Sequence, residues 1–385
     1  MNEYKRLGDY IQEIDVRNRD LSVTTLVGVS ISKEFIPSIA NTIGTDMSTY
    51  KIVRKGQFAY GPVTSRNGDK VSIALHTKEE AAIISQAYTV FEIKDTNKLL
   101  PEYLMMWFHR PEFDRYARFH SHGSAREIFD WDEMCDVSLP IPPIERQREI
   151  VAEYETLSKR IRLNEQMISK LEETAQTLYR KMFVDGIDKE NLPEGWRIGV
   201  IQDLCEVKDG THDSPKPVDC GFPLVTSAHL NTWNLSLNQT YTISKQDYIK
   251  INERSLVENR DILFSMIGTI GTISLILYNN INFAVKNMAI FKTSKNLKYV
   301  EYLLCFLKSA EMNIYIEGAM SGSTQSYVTL NTLRIVPILI PDLSVIEQFH
   351  CCASKIISQI WNITRENEKL TELQSLLLAR MGQIK

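Results

Sequence analysis

The chain has 385 residues, of which 43% are hydrophobic and 24% charged, a length that exceeds what one core usually organises and a mixture that excludes long disorder. Its formal net charge of −4 excludes a protein that coats any nucleic acid through counterion release, but leaves room for a reader whose positive charge is local. The six cysteines form no CxxC pair and point to free buried thiols rather than zinc or disulfides.

In chain order, the first region opens as YKRLGDYIQEI and soon enters a stretch from Asp46 to Asp69 without an acidic residue, holding Lys51, Arg54, Lys55 and Arg66. The runs VSIAL and YTVFEI predict strands separated by the turn-rich loop GPVTSRNGDK, and Glu102 to Phe119 predicts a helix. After IPPIERQ the apolar residues Leu157, Ile161, Ile168, Leu171, Ala175, Leu178 and Met182 alternate at intervals of four and three, broken only by Asn164. That spacing predicts a long helix with a coiled-coil seam.

The second region repeats the plan. TISLILY and NMAIF predict strands flanking the loop MIGTIGT, and Val300 to Glu317 predicts the helix. A second basic stretch, between Asp261 and Glu301, holds Lys286, Lys292, Lys295 and Lys298. The final helix carries Ile356, Ile360, Ile363, Leu370, Leu377 and Met381 in the same alternation, with Asn367 and Gln374 as polar members.

The similarity is a duplication. Shifted by 199 residues, Glu102 to Pro142 aligns without a gap on Glu301 to Pro341, with ten of 41 positions identical where ordinary residue usage gives about two or three. The expected organisation is a mixed α+β chain with domains at 1–142 and 186–341, each followed by a long helix, at 143–185 and 342–385. Two copies of one helix in one chain can pair antiparallel, giving a pseudo-twofold repeat; association with other chains is the competing arrangement.

Catalytic motifs are missing. There is no Walker phosphate loop, no G-x-G-x-x-G, no Asn/Asp-Pro-Pro-Tyr tetrapeptide and no HExxH helix. EIK at Glu92 and EVK at Glu206 lack the preceding Pro-Asp of a nuclease motif, and His120 and His122 show no carboxylate or cysteine partner in view.

Two dissimilar domains, each leading through an IP motif into a long helix that ends in L-x-x-x-M, together with LPEGW at Leu192, DGTHDSPKP at Asp209 and GTIG at Gly268, resemble the DNA specificity subunits of type I restriction–modification systems over essentially the whole chain. The resemblance implies two target recognition domains, each reading one half of a bipartite asymmetric site in double-stranded DNA, with the helices as ruler and docking surface. It also implies two modification (methyltransferase) subunits and a restriction subunit as partners. No cofactor is expected in this chain, S-adenosylmethionine, ATP and Mg belonging to those partners. A non-catalytic cytoplasmic protein without a membrane role follows. The alternatives are the recognition subunit of a related type II-like complex and a self-contained DNA-modifying enzyme with diverged motifs. Departures are the lack of LPEGW before the first domain and the single proline where the second long helix opens, IPDLSVIEQ.

Within that reading, bases are contacted by Arg, Lys, Asn and Gln, and phosphates by Lys, Ser, Thr and backbone amides. In the first domain this singles out Ser65, Arg66, Asn67 and Lys70, then Arg118, His120, Ser124 and Arg126. In the second it singles out Thr211, His212, Lys216, Ser265, Thr269, Lys286, Asn287, Ser323 and Gln325. The duplicated Gly-Ser pairs at Ser124 and Ser323 are followed by different residues, Ala125-Arg126 and Thr324-Gln325, as expected of a shared anchor with divergent readers.

Overall fold

The computed structural model describes residues 4–38, 44–65, 67–68, 70–123, 126–321 and 327–383. The chain divides into two compact units, Met1–Ile161 with Lys369–Lys385, and Arg162–Glu368.

Each unit is built on an antiparallel four-stranded sheet of the same connectivity. In the first the order is Ile11–Ile14, Thr89–Ile93, Phe58–Tyr60, Ile73–Leu75. In the second it is Val207–Asp209, Met288–Phe291, Ile262–Ser265, Ile273–Leu275. The inner strands Phe58–Tyr60, Met288–Phe291 and Ile262–Ser265 are buried on both faces, whereas the edge strands Ile11–Ile14 and Val207–Asp209 carry polar residues. Phe58 stacks on Phe91 at 4.8 Å between ring centroids, and Phe264 meets Phe291 edge-on at 6.1 Å.

Helices α1 (Pro101–His109), α2 (Pro111–Phe119) and α3 (Trp131–Asp136) follow in the first unit, then the long α4 (Ile144–Phe183). The second unit adds α5 (Lys245–Ser255) and then repeats the series as α6 (Val300–Leu307), α7 (Ala310–Ser321), α8 (Leu330–Arg334) and α9 (Leu343–Met381). Thr89 and Met288, and the starts of α1 and α6, α2 and α7, α3 and α8, and α4 and α9, all stand 199 residues apart. The repeat therefore extends from the sheet into the long helix, beyond the segment whose identity reveals it.

The single helix predicted in each copy is two. In the first copy Pro111 confines the preceding Arg110 to an extended backbone (φ −70°, ψ 134°), which ends α1. In the second no proline intervenes; Ser309 breaks the run, its Oγ accepting the Met312 backbone N–H at 3.2 Å as a helix N-cap does.

The root of each long helix is sealed alike. Tyr4–Arg6 pairs antiparallel with Ser138–Pro140, and Arg197–Val200 with Pro337–Ile340, so the first domain closes without an LPEGW. The fully buried Tyr103 donates its hydroxyl to the Pro140 carbonyl at 3.1 Å, and the fully buried Tyr302 does the same to Leu339. The copies differ one turn later. Gln147, fully buried, donates to the Lys98 and Pro142 carbonyls and accepts from Leu100 N–H, at 2.8, 2.8 and 2.9 Å. Ile346 occupies the duplicated position as an equally buried apolar plug.

The long helices meet inside each unit. In the first, Gln374 donates to Ser158 Oγ at 2.7 Å, and Leu378 and Met381 join a core with Ile150 and Val151. In the second, the Asn164 amide donates to Asn367 Oδ1 at 2.8 Å, and Phe349 packs on Phe183 at 5.1 Å. None of the predicted seam residues is exposed. The periodicity missed a second buried face, where Tyr179, Phe183, Ile346 and Ile357 enter the domain core, which Ala175 and Ile360 of the predicted seam also join.

What differs between the copies is inserted outside this frame. The first carries a hairpin, Val27–Val29 with Phe35–Pro37, and the pair Lys51–Val53 with Ala82–Ile84. The second carries a three-stranded sheet in which Phe222–Val225 lies between Thr242–Ile243 and Ala284–Val285, together with α5. The cysteines are free, but Cys220, Cys351 and Cys352 are exposed, so only half match the expected buried thiols. No described helix is long and apolar enough to cross a membrane.

Replacing Tyr103 by Phe should leave a buried carbonyl without its donor and cost the first unit about 1 kcal/mol. Hydrogen exchange should show the loss in strands Tyr4–Arg6 and Ser138–Pro140 and not in the second unit, whereas Tyr302→Phe should give the converse.

Candidate nucleic-acid interface

In the first unit two sequence-distant loops are laced together. The Thr64 N–H donates to the Glu127 carbonyl at 2.9 Å, its hydroxyl to Ser121 Oγ at 2.9 Å, and Phe129 N–H to the Pro62 carbonyl at 2.9 Å. Val63 bridges Ile128, which also bridges His122. Ser65, Asn67 and Lys70 are thereby brought beside Arg118, His120 and Arg126. Gly123 makes the turn at φ +132°, where an added Cβ would collide with the Arg126 carbonyl oxygen.

The side chains divide by what they already do. Asn67 turns its amide back onto the Val63 carbonyl at 3.3 Å. Arg118 is paired with Glu127 at 2.6 Å. His120 and His122 share Glu133, at 2.9 and 3.3 Å, and Tyr116 stacks on the His120 ring at 4.2 Å. The carboxylate partner that sequence proximity did not offer is thus Glu133, on α3. It ties the loop to the helix, and no group of His, Cys, Asp or Glu among the described residues is arranged to hold a metal. Ser65, Lys70 and Arg126 are exposed. Arg66 and Ser124 lie outside the described residues.

The same lacing recurs in the second unit. Val328 N–H donates to the Met266 carbonyl at 3.0 Å, and Ile267 bridges Tyr327; Val328 and Tyr327 stand 199 residues after Phe129 and Ile128. The GTIG turn sits here, with Gly268 and Gly271 both at positive φ and Thr269 exposed. Ser265 is different from its expectation: it is fully buried, and its hydroxyl donates to the Ile267 carbonyl at 2.9 Å. It shapes the turn and offers no surface to a ligand. Ser323 and Gln325 lie outside the described residues.

A second group forms where DGTHDSPKP meets the strand ends at Val285 and Met288. Thr211 N–H donates to the Val285 carbonyl at 3.0 Å and Asn287 N–H to the Thr211 carbonyl at 3.0 Å. Thr211 is buried, its Oγ accepting from Asp213 N–H at 3.1 Å. Exposed His212 bonds Asn287 Oδ1 and Asp209 Oδ2, each at 2.9 Å. Those bonds, Asn287's first and Asp209's second, raise its pKa above the ordinary histidine value. Asn287 holds φ +57°, a left-handed backbone that Asn tolerates better than most residues. Lys286 donates to Ser214 Oγ at 2.5 Å, and Lys216 is exposed.

The basic stretches read from the sequence are largely neutralised by folding. Lys51 is buried against Glu13, Lys55 pairs with Glu79, and buried Lys292 lies between Glu258 and Asp261. Lys295 pairs with Glu206, and Lys298 with Glu347. Sequence distance hid every one of these carboxylates. A groove of 690 Å³ beside α2 is lined by Lys33, Lys70, Arg115 and Arg118 among others, three of them paired with Asp114, Glu112 and Glu127.

The duplicated frame and its paired loops are what a family comparison can test. The model described as the type I restriction modification DNA specificity domain matches residues 34–173 and 193–376. The chain belongs to that family. The specificity subunit of the type I restriction enzyme HindI from Haemophilus influenzae is 20% identical to this specificity chain over 406 aligned positions, covering 86% of each. The MjaIX specificity subunit from Methanocaldococcus jannaschii is 21% identical over 307, covering 74% of this chain and 68% of the relative. Among solved structures, the S subunit of the type I restriction–modification system of M. genitalium shares the fold, with a TM-score of 0.58 at 12% identity over 99% of this chain and 96% of that one. Matching in two segments, one per copy, agrees with the duplicated frame of this DNA specificity chain.

His109, which lines the α2 groove, has no distinguishing signal in the sequence. Burial, then the nearby Lys33 charge, pushes its pKa down to about 4. Because the folded pKa lies below the unfolded value, stability from neutral His109 is complete above about pH 6.5 and is lost as the pH falls toward 4, by up to about 3 kcal/mol. Unfolding followed at pH 7 and pH 5 should show a larger acid loss for the wild type than for His109→Gln. Equal losses would place the acid-sensitive group elsewhere.

Proposed function

We propose that this chain is the non-catalytic recognition and scaffolding subunit of a type I restriction–modification complex. Each target recognition domain reads one half of a bipartite, asymmetric site in double-stranded DNA. The observation that carries this is the duplicated loop lacing, Pro62 with Phe129 and Met266 with Val328, on two frames whose surrounding inserts differ. A common frame with different surfaces suits two different half-sites on one molecule.

In this reading α4 and α9 pair as an antiparallel coiled coil that sets the unread spacing and docks two methyltransferase subunits, with the restriction subunit joining that assembly. Supporting it are the antiparallel order of the contacts, Ser158 with Gln374 and Asn164 with Asn367, polar pairs of the kind that fix register. Leu163 and Met167 on α4, and Leu373 and Leu376 on α9, are exposed apolar side chains on those helices and suit a protein partner. S-adenosylmethionine, ATP and Mg are assigned to the partners.

Methylation mapping of host DNA with and without this chain tests the reading. The expected result is one bipartite motif that vanishes with the chain; methylation independent of the chain would refute it. Arg126→Ala should relax base choice in one half-site only, by about 1 to 3 kcal/mol for a bidentate contact, whereas uniform weakening would reassign Arg126 to phosphate.

Matched four-residue insertions, one between Ser158 and Asn164 and one between Asn367 and Gln374, add about 6 Å to the helices, close to two base-pair steps. The mapped motif should keep both half-sites and gain a longer spacer. An unchanged spacer with altered half-sites would remove the ruler role.

A further inference from the structure

Phe119, the last residue of α2, is 82% exposed, so its phenyl ring forgoes burial that a core position would give it. It is no stray side chain at a frayed end. Its ring stands edge-on to His120 at 5.2 Å, and His120 is itself pinned by Glu133 and by the Tyr116 ring. The aromatic is thus presented from the base of the laced loop that carries Arg126.

The groove beside it has charge of one dominant sign. Lys33, Lys70, Arg115 and Arg118 line it against one carboxylate, Asp114. Lys33 is spent internally, on Asp114 at 2.7 Å and on the Phe108 carbonyl, whereas Lys70 is exposed and the two arginines hold surface carboxylates, Arg115 with Glu112 at 3.1 Å and Arg118 with Glu127 at 2.6 Å. An exposed phenyl ring flanked by cations matches a stacked, phosphate-bordered ligand. Both arginine pairs are solvent-exposed and therefore weak, so phosphates can take the place of their carboxylates.

We infer that Phe119 is a wedge that inserts between two base pairs of the half-site read by the first domain, with Lys70, Arg115 and Arg118 on the adjoining phosphates. This rests on the DNA-recognition reading and adds a mode of reading to it: the half-site is selected partly by how easily one step unstacks. The duplicated position in α7 is Gly318, where an added Cβ meets nothing within 4 Å. The second domain therefore carries no aromatic wedge at this position, and the proposal is confined to the first half-site.

The test uses the full chain assembled with its methyltransferase subunits and duplexes of the mapped motif, each with 2-aminopurine at one step. Wild-type complex should brighten 2-aminopurine at a single step of the first half-site and at none of the second. Phe119→Ala should abolish that signal and weaken binding at least tenfold, while Phe119→Trp should retain both; exposure of the ring means neither change disturbs the fold. Motif-selective binding without any brightened step overturns the wedge and leaves recognition intact. Absence of motif-selective binding by the wild type overturns both. Loss of methyltransferase assembly in Phe119→Ala would assign the ring to the protein partner and also overturn the wedge.

Discussion

Everything in the molecule hangs on how each long helix leaves its domain. A three- or four-residue antiparallel strand pair closes the domain, and a buried tyrosine hydroxyl from the preceding helix caps one of its carbonyls. A buried carbonyl left unpaired is expensive, so that bond fixes the direction in which the helix starts. Because it is made twice at the same offset, both helices begin from the same frame, and the contacts between them in each unit follow from that common origin.

The frame also explains where variation is tolerated. The four-stranded sheet, its two covering helices and the exit pair recur, while the hairpin of one copy and the three-stranded sheet of the other hang outside them. The interloop hydrogen bonds at Thr64, Phe129 and Val328 are made by backbone groups or a short hydroxyl. They hold the loops without dictating the side chains displayed, which is how one scaffold can carry two dissimilar surfaces.

Much of this was legible from residues alone. The offset of 199, the strands around VSIAL, YTVFEI, TISLILY and NMAIF, and the seam positions of both helices all rest on local periodicity, which the fold respects. What periodicity could not show was partnership at a distance. Lys292 reads as a basic surface residue until Asp261 and Glu258 close on it. His120 reads as unsupported until Glu133 arrives from α3. Ser265 reads as a loop hydroxyl, yet its strand is buried on both faces. Phe119 carried no signal, because the same amphipathic pattern serves a buried phenylalanine; Phe113, on the same helix, is buried. Arg66, Ser124, Ser323 and Gln325 fall outside the described residues.

The unequal helix roots have a thermal consequence. Gln147 secures α4 through three hydrogen bonds, an enthalpic attachment, whereas Ile346 secures α9 by apolar burial, whose free energy fades on cooling because it carries a heat-capacity change. The two helix roots thus respond differently to temperature. Cooling weakens the burial at the root of α9 relative to the hydrogen bonds at the root of α4, so a duplicated frame carries an asymmetry of stiffness set by one glutamine.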